Sequence, residues 1–179
     1  SELGFKFDGS SLTISSFVTP ADGSWFALTV TRDSSNVIRG YVNGIVSVRL
    51  STTDSEGTAV SDADEDLTIG SNKTDLSRTF DGGISSVALY NTAKSAEEIY
   101  AIYQQGITYD ESSLSGLVGY WRMGDDTSKA YPTIADSSSN SNDGTMTNMA
   151  SDDIVQQMIA GYDMGAFEST GQELSLINI

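Results

Sequence analysis

Histidine and cysteine are both absent from the 179 residues, so a Ser-His-Asp triad, a Cys-His pair and the usual zinc site are excluded. Oxygen chemistry remains. The stretch DSSSNSNDG, opening at Asp136, presents Asp136, Asn140, Asn142 and Asp143, donors of the kind Ca2+ takes. Asx and Ser residues also build turns by bonding their own backbone, and Asp143-Gly144 is an ordinary turn pair, so a turn is the preferred reading and a metal site the alternative. In DADEDLTIG, Asp62, Asp64 and Asp66 stand at the first three ligand spacings of an EF-hand loop. Leu67 occupies the place of the required Gly and Lys73 that of the bidentate Glu, which excludes an EF-hand. Glu65 and Asp66 are adjacent and would point to opposite faces of a strand.

Aromatic side chains could stack on sugar rings. Trp25 and Trp121 fall in alternating segments that predict strands, where a large aromatic belongs to the core. Tyr100 and Tyr103 accompany Ile99 and Ile102 on a predicted helix, and packing is the expectation there too. Asn72-Lys73-Thr74 fits a glycosylation sequon, a short motif that occurs often by chance. Nine basic residues against twenty-five acidic ones leave a net charge of −16, which argues against a nucleic-acid partner because duplex affinity comes largely from Lys and Arg neutralising phosphates. No run reaches the ~18 apolar residues of a membrane span, and no membrane partner is expected. The chain opens on Ser1, which suggests a processed chain or a segment of a longer one.

The elements that must position these residues are short. Usage is rich in Ser, Thr, Gly, Asp and Asn, with apolar residues in brief runs between polar clusters, an all-β signature. Asp8-Gly9 and Asn43-Gly44 each sit between alternating runs and predict hairpins, since both central residues of the tight turn need positive φ. Ser24 to Asp33 reads as a neighbouring strand, Ser51 to Asp66 as a long acidic loop, Asp66 to Gly70 as a strand, and Thr79 to Asn91 as a long strand with a bend or bulge at Gly82-Gly83. In KSAEEIYAIYQQG, Ser95 is the N-cap, Glu98 completes a capping box and Gly106 ends the helix. SDDIVQQMIAG, from Ser151, predicts a second helix with its aspartates in the first turn.

The pieces GSWFALTVTRDSSNVIRGYVNG, LTIGS and FDGGISSVALYNTAKSAEEIYAIYQQG resemble, in order and spacing, the carboxy-terminal half of LamG-like, concanavalin A-like (lectin-glucanase) jelly-roll domains over residues 23–106. The resemblance implies an antiparallel β-sandwich with one or two short helices and a core over residues 1–115. GLVGYWRMGDD with DSSSNSNDGT resembles the opening segment of the same family, yet stands after the closing helix. Residues 116–179 are therefore read as a return strand, loop and tail. They belong to a permuted or truncated domain or begin a second repeat, and a segment closing a sheet edge is preferred.

The fold includes glucanases, whose acids are spaced Glu-x-Asp-x-x-Glu along one strand, and no such string occurs, so no enzyme is expected. Some LamG-like domains bind calcium and sugar at rim loops, which keeps the Asp136 to Asp143 site in view. NDGTMTNM and GYDMGAFES resemble modules of phage virion proteins. The implied role is a structural or decorating component of a phage capsid or tail, at the virion surface, partnered by virion proteins or its own copies and touching glycans weakly. The alternative is a secreted or cell-surface, calcium-dependent carbohydrate-binding module.

Overall fold

The computed structural model describes residues 2–7, 10–15, 23–35, 37–46, 52–53, 66–72, 75–155 and 177–178. Strands in antiparallel sheets and a single α-helix make up this part of the chain, an all-β architecture. Two compact units divide it, one from residues 1–63 and 92–106, the other from residues 64–91 and 107–179.

In the first unit, β1 (Glu2–Phe7) and β2 (Ser10–Ser15) pair with Phe7 opposite Ser10, while Asp8-Gly9 lies outside the described residues. A second sheet carries β3 (Leu28–Arg32), β4 (Val37–Val42), β5 (Ile45–Val46) and β6 (Thr52–Thr53), the last two both pairing with β4. Asn43 and Gly44 take φ of 52° and 74° between β4 and β5, the tight turn their types predict. Asn43 also anchors the chain before β3, its Oδ1 accepting from Ala27 N–H at 3.0 Å.

The helix α1 (Ala96–Gln105) is capped as its sequence requires. Glu98 N–H donates to Ser95 Oγ and Ser95 N–H to Glu98 Oε2, satisfying two of the amides that a helix start leaves without partners. Ile99 is buried, and α1 lies close over the β4–β5 turn. A Cβ on Gly44 would meet the Tyr100 backbone at 3.1 Å, so positive φ and close approach both demand glycine there.

The second unit holds β7 (Thr68–Ile69), β8 (Ser71–Asn72), β9 (Asp75–Thr79), β10 (Val87–Tyr90), β11 (Leu117–Trp121), β12 (Thr133–Ile134), β13 (Gly144–Met146) and β14 (Ile177–Asn178). Its sheets are β8–β9, β10–β11 and the four-stranded β12-β13-β14-β7. Trp121, Ile134 and Met146 form the buried centre, with Ile69, Val87, Met123, Met149 and Ile154 packed around it.

Four sequence expectations change. The loop expected from Ser51 to Asp66 contains β6, Thr52–Thr53, which pairs with β4. The strand expected from Ser24 begins only at Leu28, and Trp25 precedes it, 43% exposed. The strand expected over Thr79 to Asn91 is interrupted between Phe80 and Val87; the expected bend is present at Gly82, which takes φ of 155° and where an added Cβ would lie 3.0 Å from the Phe80 ring. The second helix is a single 3-10 turn at Ser151–Asp153, after which Ile154 is extended. Asp153 Oδ2 accepts the Ala150 N–H, and Ile154 packs against the Trp121 centre, so apolar burial there prevails over helix propagation. Residues 156–161 of that expectation lie outside the described residues.

Candidate functional site

The structure brings Asp136, Asn140, Asn142 and Asp143 together on one loop that grips β11. Asp136 is buried. Its Oδ1 accepts from Tyr120 N–H and Ser138 N–H, each at 2.8 Å, and its Oδ2 from Asn142 N–H and Ser138 O–H, also at 2.8 Å. The side-chain amides of Asn140 and Asn142 donate to Val118 O at 2.9 and 3.3 Å. Trp121 Nε1–H donates to the Asn142 carbonyl at 2.8 Å. Asp143 Oδ1 accepts from Asp136 N–H at 3.0 Å, and Asp143 Oδ2 stands 3.0 Å from Lys129 Nζ.

Burial pushes the Asp136 carboxyl up, but the amides of Tyr120, Ser138 and Asn142 outweigh it and hold the group below its ordinary range. The residues do not fit a calcium ion. A carboxylate offers about four lone-pair sites; donors fill all four on Asp136, and an ammonium stands at Asp143. Among the described residues, no group of three or more acidic side chains is placed to hold a metal. Of the EF-hand-like string, Asp62 and Asp64 lie outside the described residues, as do Lys73 and Thr74 of the sequon.

Hydrogen bonds from Ser128 and Ser137, together with Arg122, also depress Asp126 below its ordinary 3.8. A carboxylate with a lowered folded pKa contributes stability that is full above the unfolded value and lost as pH falls through the folded one. The melting-temperature gap between wild type and Asp126→Asn should therefore be largest near neutrality and close below about pH 4. Taking the difference cancels the general relief of charge repulsion on acidification. A gap constant down to pH 2, on the order of two units below the ordinary value, would exclude this role.

A second site lies in the first unit. A cavity of about 420 Å³ is lined by Thr31, Arg39, Tyr41 and Val46 from the sheet, Asp33 beyond β3, and residues 93–96 leading into α1. Register explains the grouping: Thr31 pairs with Arg39, and Tyr41 with Val46, so alternate positions present one face. Thr31 and Tyr41 are buried. Arg39 Nη1 donates to Asp33 Oδ2 at 2.6 Å, while Asp33 Oδ1 accepts the Ser35 and Val37 amides at 2.9 and 3.0 Å. The Arg39 bond, then the Val37 amide, keep Asp33 below the usual carboxylate range, hence ionised. Lys94 carries a largely buried side chain, its Nζ 3.7 Å from Glu98 Oε1.

Sequence reasoning missed this cavity. The available signal was the alternation Arg39, Gly40, Tyr41, which places a cation and an aromatic on one strand face.

The aromatic expectations divide. Trp121 is buried, whereas Trp25, Tyr100 and Tyr103 are exposed, the two tyrosine rings 6.5 Å apart and tilted by 40°. Tyr100 and Tyr103 cover Gly44 while leaving much of each ring in solvent, so they are only partly the packing residues their helical spacing suggests.

Comparison with curated proteins and with solved structures gave no significant match. The family described as the concanavalin A-like lectin/glucanases superfamily matches residues 2–100, a span that takes in the cavity-forming sheet, β10 and the first half of α1. The match covers more than half of the chain, and the chain belongs to the concanavalin A-like lectin/glucanases superfamily.

Proposed function

We propose that this chain is a non-enzymatic binding module that takes a saccharide in the Thr31–Arg39–Tyr41 cavity. The cavity itself carries the reading. It is large enough for one or two sugar rings and sets a hydroxyl, a guanidinium–carboxylate pair and an ammonium around a buried aromatic floor. Convergent donors and acceptors over an apolar surface are what a polyhydroxylated ring requires. The lining includes one carboxylate, Asp33, kept ionised by Arg39, whereas glycoside hydrolysis asks for a pair with one proton held ready.

Elsewhere, Tyr90 donates to Glu111 Oε2 at 2.5 Å. Burial, then the Glu111 carboxylate, push its phenol up, away from the ionised form a nucleophile would need. Both features support binding over catalysis.

A panel of immobilised oligosaccharides followed by calorimetry tests the proposal. At least one saccharide should be retained by wild type and bind about tenfold or more weakly to Arg39→Ala, with Thr31→Val weaker to a lesser degree. Melting curves of each variant check that the fold persists. Retention that neither variant changes would move the ligand away from the cavity.

Display on a phage virion, which NDGTMTNM and GYDMGAFES suggest by resemblance, is the setting we propose for this binding. Mass spectrometry of purified particles would give a fixed ratio to the major shell protein. Absence from particles, with the chain in culture medium or on cells, would favour a secreted module instead.

A further inference from the structure

The Asp136 loop has the composition of a calcium site and the hydrogen bonding of another device. We infer that it is a cation-free clasp, in which N–H and O–H donors around one buried carboxylate hold the loop to β11, as a bound cation would hold it through its ligands.

Asp136 spans three pieces of chain. It takes the Tyr120 amide from β11, the Ser138 amide and hydroxyl from the start of the loop, and the Asn142 amide from its end. The backbone closes the same junction from the other side, Ser137 N–H donating to Tyr120 O at 2.7 Å and Trp121 bridging to Asp136. A carboxylate buried with such donors is stabilised in its charged form without a counter-ion, because charge-assisted hydrogen bonds replace its hydration.

Each further oxygen that a cation would seek is directed elsewhere. The Val118 carbonyl requires donors, which orients the Asn140 and Asn142 amides with their NH2 groups toward it. The Asn142 carbonyl is taken by the Trp121 indole, and Lys129 holds the outer oxygen of Asp143. The cationic place in this loop is therefore filled by the chain's own ammonium and amide hydrogens.

Thermal melts of the full chain in EDTA, in calcium and in magnesium at matched ionic strength test the inference on wild type, Asp136→Asn, Asp143→Asn and Ser138→Ala. Wild type should melt alike in EDTA and calcium, apart from any shift that magnesium reproduces. Asp136→Asn should melt about 5–10 °C lower in EDTA, since an NH2 group would face two donors. Ser138→Ala should lose roughly 2–4 °C, and Asp143→Asn, which keeps its inner acceptor, about 2 °C or less.

A calcium-specific rise that Asp143→Asn abolishes would overturn the clasp. So would unchanged melting of both Asp136→Asn and Ser138→Ala in EDTA. A calcium-specific rise that survives both Asp136→Asn and Asp143→Asn would place calcium elsewhere and support the clasp; one that Asp136→Asn abolishes would overturn it.

Discussion

Trp121→Ala should lower the melting temperature by about 6–20 °C, from a cost of roughly 3–5 kcal/mol for emptying a buried indole site. Trp121 is 2% exposed at the centre of the second unit, against Ile134 and Met146, and its Nε1–H holds the Asn142 carbonyl. Truncation removes the packing surface and leaves that carbonyl to find water. The neighbouring Gly119 supplies an internal control. A Cβ there would lie 2.3 Å from Trp121 Cη2, so the indole lies across a position that only glycine can occupy.

Gly119→Ala alone should therefore destabilise by about 1–3 kcal/mol through displacement of the ring. In the Trp121→Ala background the obstruction is gone, and the same substitution should cost little. Two residues in such contact are coupled, and the double-mutant cycle should show an interaction well above the roughly 0.5 kcal/mol seen between independent sites. Additive losses, measured by denaturant titration, would mean that the ring does not rest on Gly119.

Features set by local chemistry were legible in the sequence. Asn43-Gly44 requires positive φ, and Ser95 with Glu98 requires only its own backbone, so both appear as their spacing predicts. Features set by what packs from a distance were not. Trp25 carries the alternation of a strand residue, yet pairing begins three positions later, and nothing in the string from Ser24 to Asp33 marks that start. Ile154 falls in the stretch whose pattern predicts the second helix, but its packing against the Trp121, Ile134 and Met146 centre depends on strands far off in the chain.

The candidate sites divide in the same way. Asp136, Asn140, Asn142 and Asp143 were visible as oxygen-rich residues. What decides between turn and metal is the direction of the N–H groups of Tyr120, Ser138 and Asn142, which composition does not carry. Asp33, Arg39 and Lys94 each look like solvated surface charge in isolation. Only strand register and the approach to α1 make them the walls of one cavity.

Deleting everything after Gly116 should remove the second unit's cooperative unfolding and raise binding of a hydrophobic dye. The expected loss exceeds that of Trp121→Ala, because it takes β11, β12, β13 and β14 together. β11 pairs with β10 from Val87↔Trp121 to Tyr90↔Leu117, and Asn91 N–H donates to Gly116 O at 2.9 Å where the two strands meet the connecting chain. Without β11, the β10 edge and the apolar face of Val87 and Ile69 lose their cover, and an open strand edge invites pairing with other chains.

The family match ends at residue 100, so the deletion also separates two readings of residues 117–146. If they close the unit that contains β10, the shortened chain should melt at least about 10 °C lower or aggregate. If they open a further repeat with strands of its own, it should melt as the full chain does. The pairing of β10 with β11 and the burial of Trp121 against Val87 favour closure, since both join a strand inside the family match to one beyond it.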